Sequence, residues 1–161
     1  MNTPRILIAG IGNIFLGDDA FGVAVVQRLA ARPLTDGVRV VDFGIRGLDL
    51  AYALLEDYER VIIIDTVQRG GAPGTLYVIE PSLQNAGPLE THEMVPAKAL
   101  ASAKAMGASL SNVIILGCEA ASFGSDAEPQ MELSPPVAAA IDEAIAMLET
   151  LLNASPNPAH A

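Results

Sequence analysis

Apolar runs of strand length alternate along this chain with segments of helical period, and that alternation restricts the fold more than any other feature. The runs are "RILIAG" (5–10), "VRVVDF" (38–43), "RVIIIDTV" (60–67) and "NVIILGCE" (112–119). The first is apolar at odd and even positions alike, as in a strand covered on both faces. Between the runs, "DAFGVAVVQRLAAR" (19–32) sets Val23, Val26 and Ala30 beside Phe21, Val25 and Leu29 on adjoining helical rows, and Pro33 and Gly37 end it. "GLDLAYALLEDY" (47–58) predicts a helix with Leu50, Leu54 and Leu55 inward. "PAKALASAKAMG" (96–107) predicts another, with proline in its first turn and glycine at its end. "SPPVAAAIDEAIAMLETLL" (134–152) predicts the last, capped by Ser134. Such an order gives βαβ units and a mainly parallel sheet.

One link breaks the pattern. "QRGGAPG" joins the third run to "TLYVIE" (75–80) in too few residues for a helical crossover, so these two strands are expected to run antiparallel, the second as an edge strand. The fold expected is therefore α/β, a three-layer α/β/α arrangement around a mostly parallel, twisted five-stranded sheet with one antiparallel edge strand. Residues 1–152 read as one domain, and "NASPNPAHA" (153–161) as a flexible tail. The polar stretch "PSLQNAGPLETHEMV" (81–95) is long for a compact domain, as functional loops often are.

Composition narrows the function. The chain has 161 residues, 51% of them hydrophobic, enough for a sizeable core without staples. Its formal charge of −10 repels phosphate backbones and anionic headgroups, which argues against nucleic acid and membrane surfaces as partners. A single cysteine, Cys118, forbids an internal disulfide and suits a reducing compartment. The N-terminal apolar run lacks a cationic start and is broken by glycines, so neither a signal peptide nor a membrane span is expected, and the cytoplasm is the expected location.

In an open α/β sheet, ligands bind outside the carboxyl ends of the strands. The residues there are Asn13, Asp18 and Asp19 after the first strand, Asp42 after the second, Asp65 at the end of the third, and Cys118 and Glu119 after the last; the long loop adds His92. Asp65 follows "VIII" with no turn between, so a carboxylate is set at the sheet rim, where it needs a cation or donors. Of the adjacent pair Asp18 and Asp19, one is expected to cap the helix that follows and the other to face the cleft. Two acids and one imidazole form a mixed oxygen and nitrogen donor set with a vacant position, which suits Zn²⁺ or Ni²⁺.

Two other chemistries compete. Cys118 and His92 could act as nucleophile and base, although a thiol behind "VIILG" more often packs. "GIGNIF" (10–15) shares two glycines with dinucleotide-binding turns and Asp42 stands where a ribose-binding acid would, which keeps open a non-catalytic dinucleotide- or ligand-binding module. Against this, Phe15 replaces the third glycine, and Asp18 and Asp19 occupy the helix start that would face a pyrophosphate.

The stretches "GIGNIFLGDDAFGVAVVQRL", "VVDFGIRGLDLAYAL", "VIIIDTV" and "THEMVP" together resemble the hydrogenase maturation endopeptidases, in order across residues 5 to 150. The resemblance implies a twisted sheet between helices and an enzyme that cuts a C-terminal extension from the large-subunit precursor of a [NiFe] hydrogenase once nickel is inserted. It puts the family's metal-contacting acid on Asp19, where many members carry Glu, the second acid on Asp65 and the histidine on His92. It also implies that the nickel is carried by the substrate rather than held by the protease at rest.

Overall fold

A computed structural model describes residues 5–81, 94–123 and 127–153. Its elements are β1 (Ile6–Ile11), α1 (Phe21–Ala30), β2 (Val38–Gly44), α2 (Gly47–Ala53), β3 (Arg60–Val67), β4 (Leu76–Ile79), α3 (Met94–Ala105), β5 (Val113–Glu119) and α4 (Pro135–Asn153). The strands form one sheet in the order β2-β1-β3-β5-β4. The first four of that order are parallel and β4 is antiparallel at the edge.

Alternation along the central strands explains the three layers. Leu7, Ala9 and Ile11 of β1 and Val61 and Ile63 of β3 pack with Leu50 and Ala53 of α2 and Leu100 and Ala103 of α3. The intervening Ile8, Ile62 and Ile64 face the other way, onto Phe21, Val25 and Leu29 of α1 and Val137, Ile141 and Leu148 of α4. Because β1 and β3 are covered on both sides, their sequences need no polar face. Each large aliphatic side chain so buried contributes about 1.5–3 kcal/mol relative to exposure. No helix among the described residues is long and apolar enough to cross a membrane.

Three details depart from expectation. The second helix stops at Ala53 rather than reaching Tyr58, because the chain turns back toward β3 through bonds from Leu55 to Tyr52 and from Glu56 to Ala53. Leu55 is consequently exposed, and Tyr58 joins Leu54 in the core instead. The strand β4 is antiparallel as expected, but it pairs with β5, since β5 already occupies the edge of β3. Helix α1 starts at Phe21, after a separate 3-10 turn over Gly17–Ala20. Most of the long polar loop (82–93) and the tail (154–161) lie outside the described residues.

Candidate active site

The motif "GIGNIFLGDDAFG" owes its glycines to close packing of one backbone on another. The ladder between β1 and β3 ends at the pair Gly10 and Ile64, and beyond it the chain swings across the sheet rim. At Gly12, where φ is +147°, a Cβ would overlap the carbonyl of Asp19, so only glycine fits. At Gly22 a Cβ would overlap the carbonyls of Ile64 and Ile11, so the start of α1 lies directly on the strand ends. The turn carrying both aspartates is thereby pressed onto the sheet, and Asp18 and Asp19 are 0% and 5% exposed.

The adjacent aspartates have different surroundings. Asp18 Oδ2 accepts the N–H groups of Ala121 at 2.7 Å and Ser122 at 3.0 Å and the Ser134 hydroxyl at 2.8 Å, while its Oδ1 accepts the Ser134 N–H at 2.7 Å. The expectation that one of the pair caps its own helix is corrected here: neither Leu16 nor Ala20, at the starts of the 3-10 turn and α1, is joined by a side-chain cap. Asp18 instead satisfies donors just ahead of α4 and just after β5, donors with no strand partner of their own. Asp19 turns the other way. Its Oδ2 accepts the Asn13 N–H at 2.9 Å, and its Oδ1 accepts the Thr66 hydroxyl at 3.3 Å.

Asp65 ends the apolar run of β3 and is 2% exposed. Its Oδ1 accepts the N–H of Thr66 at 2.8 Å. The expected neighbourhood of β1 and β3 is found, and it brings Asp19 and Asp65 onto the same threonine. Both carboxylates are buried at the rim, and a divalent cation is a partner that offsets the cost of desolvating such groups. Their hard oxygen donors fit a divalent ion that also accepts an imidazole. His92 lies outside the described residues, and among those that are described no three His, Cys, Asp or Glu side chains form a metal-binding group.

The remaining strand-end residues are accounted for by local structure. Asp42 Oδ1 accepts the Gly44 N–H at 2.8 Å, and Arg46 donates to the Asp42 carbonyl. With Asn13, Phe15, Phe43 and Ile45, Asp42 borders an open, mostly apolar groove of about 370 Å³ beside the Asp19 turn. The dinucleotide reading has little room in this geometry, because the glycine turn is filled by the backbone of Asp19. Cys118 is fully buried, and burial first, then the charges of Asp18, Glu119 and Glu143, push its thiol up to about 12, which leaves it a packing residue rather than a nucleophile.

Two contributors escaped the reading of the sequence as functional or structural anchors. Glu119, noted only as a strand-end acid, accepts the N–H groups of Arg69 and Gly71 and the Tyr77 hydroxyl, and so pins the turn between β3 and β4. Burial opposes its ionisation, but the Gly71 N–H, the Tyr77 hydroxyl and the Arg69 and Gly70 N–H groups outweigh it and hold the carboxyl below its ordinary range. Thr66 was hidden by its β-branched shape, which is ordinary in a strand; the available signal was a hydroxyl directly after a strand-end acid.

Comparison with known proteins follows the same lines. A profile of the family described as hydrogenase maturation protease (HycI) matches residues 23–151. The hydrogenase expression/formation protein HupD of Rhodobacter capsulatus is 35% identical over 88% of this chain and 68% of its own length. A putative hydrogenase maturation protease of Methanocaldococcus jannaschii is 32% identical over 92% of this chain and 96% of its own. The solved structure of the hydrogenase maturating endopeptidase HybD from E. coli superimposes with a TM-score of 0.77 at 29% identity, covering 92% of this chain and 91% of that one.

Proposed function

Because the chain belongs to the hydrogenase maturation protease family, we propose that it removes the C-terminal extension of a [NiFe] hydrogenase large-subunit precursor after nickel has been inserted. The observation that supports this reading most is the pair of buried carboxylates, Asp19 and Asp65, gathered at the carboxyl rim of the sheet on one threonine. In this reading the nickel arrives with the precursor, and Asp19, Asp65 and His92 are the side chains that meet it. The carboxylates then supply oxygen ligands and a proton acceptor for the water that attacks the scissile carbonyl. The apolar groove along Phe15, Phe43 and Ile45 is the surface on which chain flanking the cut lies. A lone buried thiol and a charge of −10 suit such work in the cytoplasm.

Nickel carried by a docked precursor acts at high effective concentration, whereas free nickel meets few ligands and no thiolate. The protein is therefore expected to cleave nickel-loaded precursor and to spare the nickel-free one, although both offer the same peptide bond. A paired digestion of the two precursors tests this, with Asp65→Asn alongside. The variant keeps the volume of the side chain but loses the charge, and it is expected to stay folded and not cut. Equal cleavage of both precursors by the unaltered protein refutes nickel reading; full activity of Asp65→Asn removes that residue from the site.

A further inference from the structure

The two carboxylates reach the rim from opposite sides of the sheet. Along β3, Val61 and Ile63 face α2 and α3, while Ile62 and Ile64 face α1 and α4. Continuing that alternation, Asp65 falls on the first side and Thr66 on the second, the side from which the turn carrying Asp19 leads into α1. Thr66 touches both acids: its N–H donates to Asp65 Oδ1 at 2.8 Å and its hydroxyl to Asp19 Oδ1 at 3.3 Å. It is fully buried, and its register partner across the ladder is Cys118. Packing alone would be served as well there by valine.

We propose that Thr66 is a positioning residue for the cleavage, its hydroxyl fixing the rotation of the Asp19 carboxylate so that it faces the same ion as Asp65. This rests on the function proposed above. Asp19 Oδ2 accepts the N–H of Asn13 at 2.9 Å, a bond on one of the two carboxylate oxygens. The Thr66 hydroxyl bonds the other oxygen, Oδ1, so that the group resists rotation about its Cβ–Cγ bond. The contact is long for O–H···O, as hydrogen bonds of catalytic groups often are before substrate tightens them. Because the donor belongs to the residue after Asp65, any shift of the β3 end moves both acids together, and their relative placement is kept.

The test compares Thr66→Val, which keeps the shape, with Thr66→Ser, which keeps the hydroxyl, on nickel-loaded precursor. A carboxylate displaced by about 1 Å can cost on the order of 10²-fold in rate, so kcat of Thr66→Val is expected to fall roughly 10- to 100-fold with KM for the precursor little changed. Thr66→Ser is expected to recover most of the loss. Calorimetric titration with Ni²⁺ alone gives a readout independent of cleavage: affinity is expected to fall severalfold in Thr66→Val and to be kept in Thr66→Ser. If Thr66→Val does not fold, Thr66→Ala against Thr66→Ser makes the same comparison with the methyl absent from both. Wild-type rate in the folded valine variant, no recovery with serine, or a change confined to KM overturns the assignment. Failure of the unaltered protein to cut nickel-loaded precursor refutes the proposed function instead, and the Ni²⁺ titration still decides the role of Thr66.

Discussion

Asp18 and Asp19 are adjacent, both buried and both acidic, yet their replacement by asparagine should fail in different ways. In Asp18→Asn the amide can keep its oxygen toward Ala121, Ser122 and the Ser134 hydroxyl only by turning its NH₂ toward the Ser134 N–H, donor against donor. One buried N–H left without an acceptor costs about 1–3 kcal/mol, and three bonds weakened from charged to neutral lose roughly 1 kcal/mol each. Relief from desolvating a charge offsets part of this, which leaves a net loss of about 3 kcal/mol out of the 5–15 typical of a domain. At about 2–4 °C per kcal/mol for a chain of this size, the melting temperature should fall by roughly 6–12 °C. Asp19→Asn keeps an amide oxygen for the Asn13 N–H and should melt within a few degrees of the unaltered protein while losing cleavage. Thermal and urea unfolding of both variants, read beside precursor digestion, decides the matter. If Asp18→Asn is no less stable than Asp19→Asn, the assignment of the pair is wrong.

Cys118→Ala should still cut precursor, and the native thiol should resist a thiol reagent at pH 8 until the protein unfolds; the stability gained by keeping it protonated is intact below about pH 9, the ordinary value, and fades as pH climbs toward about 12, as alkaline melting curves would show. Glu119→Gln should melt lower at neutral pH, and because the folded carboxyl sits below its ordinary range of about 4.5, the gap should be full above that pH and shrink as acid protonates the unaltered protein, visible in melts from pH 7 to 3. Ile45→Lys changes an exposed residue of the groove, so stability should move by less than about 0.5 kcal/mol while KM for the precursor rises severalfold; an unchanged KM would take the groove out of substrate binding.

The layers were legible because the central strands carry no polar face and the helices carry one each. "RVIIIDTV" could be placed to the residue, since a parallel strand covered on both sides leaves no other periodicity to compete. The far end of α2 was not legible: Leu54 and Leu55 continue the helical spacing, and only the tertiary demand that Tyr58 enter the core ends the helix early. The pairing of β4 with β5 depends on which strand already occupies the edge of β3, a matter of topology that no short stretch encodes. Within the site, Asp19 and Asp65 stood out as acids at strand ends. The true role of Asp18 did not, because its partners lie more than a hundred positions away and its four bonds are to three backbone N–H groups and one serine hydroxyl, donors that leave no mark in the sequence.

That separation has a consequence for synthesis. The turn at Gly17 and Asp18 is closed by Gln130, Ser122 and Ser134: the Gly17 N–H bonds to the Gln130 carbonyl, the Asp18 N–H to that of Ser122, and the Asp18 carboxylate to Ser134. A ribosome that has released only the first hundred residues has made Asp18, Asp19, Asp42 and Asp65, yet the partners that Gly17 and Asp18 take from residues 121–134 are still missing. Burying Asp18 at that stage would strand a charge without donors, so the rim stays open until the last strand and helix emerge. The turn that carries both aspartates is thus completed in the same late step that completes the fold.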